Sequence, residues 1–131
     1  MIVLDASALL TLLNQEQSWD VVARQVTHED ATISAINYAE VLQKAVRLDI
    51  AVERVDAEME AVGITVTPFG RLDARLDARL AASFYRHRSG LSLADRVCLA
   101  LARSLSSTAY TGDRTWEAWG SEFDVQLVVI R

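Results

Sequence analysis

Five short runs of aliphatic or β-branched residues, at positions 2–4, 30–34, 64–67, 108–111 and 125–130, constrain this chain more than any other feature. Segments of helical periodicity separate most of them, predicted over residues up to 14 and over 18–27, 34–49, 50–62, 70–88, 92–105 and 113–119. Strands that alternate with helices demand a parallel sheet with helices on both faces, because parallel neighbours need crossover connections. The predicted fold class is therefore α/β, a three-layer α/β/α sandwich around a central parallel sheet. Pro68 closes the third strand, Ser34 and Ser92 are placed to cap helices, and Gly63 is placed to end one. In the long helix of 34–49 the predicted apolar positions are Ile36, Ala39, Val41, Leu42 and Val46. In the helix of 70–88, Leu72, Leu76, Leu80 and Phe84 recur every four residues. The tetrapeptide Leu-Asp-Ala-Arg occurs there twice in succession, which is too short to be an architectural repeat.

With 131 residues the chain is expected to form one domain, 1–131, with a single core. No apolar run has the length of a membrane span, and the first residues lack the basic start and long apolar stretch of a signal peptide. The lone Cys98 excludes a disulfide framework. A cytoplasmic location is expected, with Cys98 acting as a small buried hydrophobe. The net charge of −5 argues against a broad basic face that grips nucleic acid. It is compatible with a nuclease that works through divalent cations, which reverse the local field, and it suits a basic protein partner.

Four acids carry the chemistry: Asp5, Glu40, Asp95 and Asp113. Asp5 and Asp113 directly follow or nearly follow predicted strands, and Glu40 and Asp95 are read in the first turns of helices. In an open parallel sheet ligands bind beyond the carboxyl ends of the strands, so one rim can collect all four. Carboxylates gathered there repel one another unless a cation lies between them. Hard oxygen donors suit Mg²⁺ or Mn²⁺, the ions of phosphodiester chemistry. Each acid also has a plainer reading. Asp5 and Asp113 can be N-caps, Ser92 and Asp95 fit a capping box, and Glu40 can be a solvated helix residue. A cap and a metal contact are compatible, since a capping carboxylate keeps an outer oxygen.

Ser7 and Thr111 place hydroxyls two residues from Asp5 and Asp113, and Asn37 shares a helix face with Glu40. These three are candidates for orienting the carboxylates, a bound water or phosphate. Asn37 has the alternative of closing the Ser34 cap. Arg114 is a candidate for positioning substrate phosphate or for pairing with an acid. Arg86 and Arg88 are candidates for contact with a nucleic-acid backbone, with a solvated helix end as the alternative. Trp116 and Trp119 read as packing before base stacking, and the two histidines lack zinc-ligand spacing.

The segments Asp5-Ala6-Ser7, Ser34-Ala35-Ile36-Asn37-Tyr38-Ala39-Glu40, Ser92-Leu93-Ala94-Asp95 and Thr111-Gly112-Asp113-Arg114-Thr115-Trp116 occur in that order. In this the chain resembles the PIN-domain ribonucleases, specifically the VapC-type toxins of toxin–antitoxin pairs, over essentially its whole length. The resemblance implies an α/β/α sandwich and metal-dependent hydrolysis of RNA at Asp5, Glu40, Asp95 and Asp113. It further implies a cognate VapB-like antitoxin that blocks the site with a basic side chain, and a homodimer, with residues 36–62 expected to meet partners. Two alternatives differ in class. One is a PIN-like binding module without activity. The other is a phosphoaspartate receiver or hydrolase, which would need an Asp-x-Asp around Asp5 or a lysine after a late strand, and Ala6-Ser7 and Thr111-Gly112 supply neither.

Overall fold

The computed structural model describes residues 1–86 and 91–131, and the side chains of 1–82 and 91–131. Five strands and six α-helices follow one another as β1 (Ile2–Leu4), α1 (Ala6–Leu13), α2 (Trp19–Val26), β2 (Ala31–Ser34), α3 (Ala35–Arg47), α4 (Val52–Ala61), β3 (Ile64–Thr67), α5 (Arg71–Arg86), α6 (Leu93–Ser104), β4 (Thr108–Thr111) and β5 (Leu127–Val129). A 3₁₀ helix, Arg114–Ala118, lies between the last two strands. All strand pairs are parallel and the order is β3-β2-β1-β4-β5. The chain thus builds one half of the sheet outward from β1 and then crosses back to build the other. The order reverses between β1 and β4, where Val3 lies opposite Ala109. Among the described residues no helix is long and apolar enough to cross a membrane.

Alternation along β1 sends its side chains to two cores. Ile2 and Leu4 join Leu9, Val22, Ile33, Val41 and Tyr110 on one face. Val3 joins Cys98, Leu99, Ala109 and Trp116 on the other. β1 is buried at every position, so substituting any of its three residues must disturb one core or the other. The three-layer sandwich expected from the sequence is what forms.

Local signals end the elements as expected. Ser34 Oγ accepts from Ile36 N at the start of α3, and Ser92 and Asp95 form a reciprocal capping box on α6. Gly63 follows α4 with φ of +77°, the left-handed conformation that a residue beyond a helix end often takes. The Tyr38 hydroxyl donates to Asp56 and ties α3 to α4.

Two apolar stripes differ from expectation. On α3 the buried positions are Asn37, Val41 and Ala45, whereas Ala39 faces solvent and Val46 is 60% exposed. On α5 the leucines do not form a core stripe: Leu72 is 72% exposed and Leu76 41%. The inward positions there are Asp77 and Ala81. Asp77 meets Arg96 of α6 at 3.5 Å, and of the leucines Leu80 packs against the core. The Phe84 side chain lies outside the described residues.

Candidate functional site

The reversal of strand order places the carboxyl end of β1 beside that of β4. Asp5 is the first residue after β1, and its N–H donates to Tyr110 O at 3.1 Å. Its carboxylate is 5% exposed and fully engaged by short bonds. Oδ1 accepts from Ser7 Oγ at 2.7 Å and from Ala8 N at 2.8 Å, and Oδ2 accepts from Thr111 Oγ1 at 2.5 Å. Asp5 is therefore the N-cap of α1 and also the centre of a hydroxyl network that crosses from β1 to β4. Burial drives its pKa above the usual aspartate value. The Thr111, Ser7 and Ala8 bonds work against that rise, and the nearby Asp95 charge adds to it.

Thr111 does more than its spacing from Asp113 suggests. Its hydroxyl donates to Asp5 and accepts the Asp113 N–H at 3.0 Å, so one side chain sets two of the acids. Ser7 is equally engaged, because its Oγ also accepts Gly112 N at 2.8 Å. Asp113 caps the 3₁₀ helix through Oδ1, which accepts from Thr115 N at 2.9 Å and Thr115 Oγ1 at 2.7 Å.

Asp95 is the third residue of α6. Its Oδ2 accepts from Ser92 N at 3.1 Å, while its own N–H donates to Ser92 Oγ at 3.2 Å. Burial raises its pKa, the Ser92 bonds lower it, the Asp113 charge raises it and the Arg96 charge lowers it. Glu40 stands in the second turn of α3, not the first, and is exposed. Burial of part of the carboxylate raises its pKa, the Asn37 bond lowers it and Asp95 raises it. Asn37 does not close the Ser34 cap, because Ile36 N takes that place. Its Nδ2 instead donates to Ala94 O at 3.1 Å and reaches Glu40 Oε2 at 3.4 Å, joining α3 to the start of α6. Asn37 is 1% exposed and its Oδ1 is buried without a partner in the structure.

The four acids are thus linked electrostatically, the Asp95 charge acting on Asp5 and Glu40 and the Asp113 charge on Asp95. Cys98, one turn below Asp95 and fully buried, is held well above the ordinary thiol range by burial and then by the charges of Asp5, Asp95 and Glu40. Among the described residues no three acidic side chains form a ready-made coordination set. All-oxygen donors that raise one another's pKa still fit a hydrated hard cation, since Mg²⁺ retains several waters and is held by only one or two carboxylates.

The basic candidates fare differently. Arg114 Nε donates to Arg131 O at 3.0 Å, which ties the 3₁₀ helix to the end of the chain beyond β5. Arg88 lies outside the described residues, as does the Arg86 side chain. Lys44 is exposed, Trp116 is wholly buried, and Trp119 packs its ring 6.1 Å from that of Phe123. Arg131 was not legible as a neighbour of the site. Its guanidinium donates to the buried Thr11 Oγ1 at 3.1 Å and lies where a Cβ on Gly112 would meet it at 3.2 Å. Only the fold brings the residue beyond β5 near Thr11 of α1, and no spacing in the sequence signals it.

Comparison with known proteins follows the same lines. The family described as PIN domain matches residues 2–120. Among curated proteins none matches significantly. The fold is shared with FitAcB from Neisseria gonorrhoeae at 25% identity, covering 97% of this chain and 96% of that one, with a TM-score of 0.68. It is shared with VapBC2 from Rickettsia felis bound to a promoter DNA fragment at 15% identity, 100% coverage of both chains and a TM-score of 0.75. VapC20 from Mycobacterium tuberculosis, a toxin that cleaves the Sarcin-Ricin loop, matches at 18% identity over 92% of this chain and 95% of its own, with a TM-score of 0.69.

Proposed function

The chain belongs to the PIN-domain family, and on that premise we propose that it is a divalent-metal-dependent endoribonuclease acting as the toxin of a toxin–antitoxin pair. The observation that carries the reading is the electrostatic group of Asp5, Glu40, Asp95 and Asp113 at the carboxyl rim of the sheet, where burial and mutual repulsion raise the pKa of three. A cluster of this kind destabilises the fold unless something positive is supplied, and the donors are those of Mg²⁺ or Mn²⁺. The neighbours in solved structures, a FitAcB complex and a VapBC complex among them, support an antitoxin as the partner.

In this reading Asp5, Glu40, Asp95 and Asp113 hold the ion, some through water, and when bound it polarises the scissile phosphate and lowers the pKa of the attacking water. Asp5 is kept in one orientation by Ser7, Thr111 and the α1 backbone, so little reorganisation is needed to receive a cation. Asn37 holds Glu40 toward the first turn of α6, and its unpartnered Oδ1 is an acceptor for a site water. Proton transfer falls to a carboxylate or to solvent. The protein works in the cytoplasm as a homodimer. A basic segment of a VapB-like antitoxin occupies the acidic rim. The substrate is RNA. Incubating purified protein with total RNA, with Mg²⁺ and with chelator, tests the activity, and mapping the new RNA ends identifies the target.

The second reading, a PIN-domain binding module without activity, predicts an Mg²⁺ titration with no heat and no RNA cleavage. The presence of all four acids in one electrostatic group favours the nuclease.

A further inference from the structure

Asp77 is an anomaly on its own helix. α5 turns Leu72 and Leu76 to solvent and buries an aspartate that is only 6% exposed. A carboxylate in such a place is costly unless a cation compensates it. The compensating charge is Arg96, whose Nε lies 3.5 Å from Asp77 Oδ1, with side-chain exposures of 17% and 8%. The two meet as charges and not as an aligned hydrogen bond. Arg96 Nη1 also donates to Leu91 O at 3.3 Å, in the segment entering α6.

Arg96 is the residue immediately after Asp95, the acid linked electrostatically to the other three. A guanidinium presents five donors in a fork that matches a carboxylate bidentately. Arg96 stands on the first turns of α6 with that acid. A rim of mutually repelling carboxylates attracts any such side chain free to swing toward it. An arginine seated there would do from within what an inhibitory arginine of a partner does from outside.

We propose that Asp77 is a positioning residue that holds Arg96 in the α5–α6 seam and so keeps that guanidinium out of the acidic rim, leaving the rim open to a divalent cation. The inference rests on the reading of the rim as a metal site and adds to it a residue on a helix that contributes none of the four acids. It also gives a reason for a buried acid on an otherwise leucine- and arginine-rich helix.

The test is calorimetric titration of the full chain with Mn²⁺, well below its unfolding temperature. Asp77→Asn, which keeps shape and removes charge, should raise the Mn²⁺ Kd roughly tenfold, the scale on which residues supporting a metal site act. The double variant Asp77→Asn/Arg96→Met should return to within about twofold of the parent, because the cation released by the first change is gone. Arg96→Met alone should bind Mn²⁺ no more weakly than the parent, and it carries the test should Asp77→Asn fail to fold. A pair that merely clamps two helices would lower the thermal midpoint without moving Kd, and that result overturns the proposal. Equal weakening in the single and double Asp77 variants, or weaker binding in Arg96→Met, overturns it too. A parent that binds no Mn²⁺ removes the metal reading itself, whereas a parent that binds with Asp77→Asn unchanged removes only this inference.

Discussion

The Thr111 hydroxyl donates to Asp5 Oδ2 across 2.5 Å, joining the carboxyl ends of two neighbouring strands whose residues are 106 apart in sequence. The same oxygen accepts the Asp113 N–H, so the geometry of two rim acids depends on one threonine. Thr111→Val is isosteric and removes this hub. It should lower stability by about 2 kcal/mol, because a buried acceptor loses its donor. It should also raise the Asp5 pKa further, since a bond that favours the charged form is gone. Thermal unfolding measures the first effect. A pH series of Mn²⁺ binding, shifted to higher pH relative to the parent, measures the second.

The pH dependence of the metal-free protein follows from the sign of three shifts. Asp5, Glu40 and Asp95 all have folded-state pKa values raised above their ordinary ones. A group of this kind contributes stability that is fully present below its unfolded pKa and is lost as pH rises through its folded pKa. In chelator, these three acids should therefore favour the fold increasingly as pH falls from neutrality into the carboxylate range. Thermal midpoints of the parent and of Glu40→Gln/Asp95→Asn across that range measure the difference. The double variant should show a shallower dependence and a higher midpoint at pH 7.

Mg²⁺ or Mn²⁺ should raise the thermal midpoint of the parent at pH 7, because a ligand that binds only the folded state stabilises it by mass action. Saturation at 100 times Kd would be worth about 2.7 kcal/mol. The gain should be absent from Glu40→Gln/Asp95→Asn. An equal rise in both proteins would mark a general ionic effect.

Gly112 and Gly63 should respond differently to alanine. At Gly112 a Cβ would meet Ser7 Oγ and Arg131 Nε at 3.2 Å each. The arginine can move aside, but Ser7 is fixed by Asp5 and by Gly112 itself. Gly112→Ala should therefore disturb Asp5 and weaken Mn²⁺ binding. At Gly63 nothing lies within 4 Å, and the cost is the left-handed backbone, about 1 kcal/mol, with Mn²⁺ binding unchanged. Calorimetry on both variants separates the two effects.

A small antitoxin bearing an arginine or lysine should bind the chain tightly and suppress cleavage by pairing with the acids of the rim. Co-purification from a native operon tests the association. Changing that basic residue to alanine should restore cleavage while leaving much of the binding intact. A neighbouring gene product that neither binds nor inhibits would remove the toxin role and leave a stand-alone nuclease.

Much of this architecture was legible because the signals were local. Ile2-Val3-Leu4 reads as a buried strand, Ser92 with Asp95 as a capping box, and Gly63 as a helix end, and each is so in the structure. Asp5 and Asp113 come to one rim because the parallel strands β1 and β4 end on the same side. What stayed hidden depended on contacts between distant residues. The four-residue spacing of Leu72, Leu76 and Leu80 shows that they share a face but not that Leu72 and Leu76 stand exposed while Leu80 packs against the core. The burial of Asp77 against Arg96, 19 positions later, is equally invisible to spacing. Thr111, read by its spacing from Asp113, proves to touch the same carboxylate as Ser7, because β1 and β4 are neighbours in the sheet. Asn37 could close a cap or hold Glu40 by its spacing, and only the nearness of α6 shows it reaching Ala94.

The central claim is that the acidic rim holds a cation that cleaves RNA, and Asp5→Asn tests it most directly. The amide keeps the size of the side chain and an oxygen for the α1 cap, and it removes the charge at the centre of the rim. Purified parent should cleave RNA in Mg²⁺ and not in chelator. Asp5→Asn should fold with a similar thermal midpoint in chelator and cleave at least about 100-fold more slowly, the order expected when a charge-stabilising group is lost from a catalytic site. Cleavage by Asp5→Asn at the parent rate, or by the parent undiminished in chelator, would contradict the account.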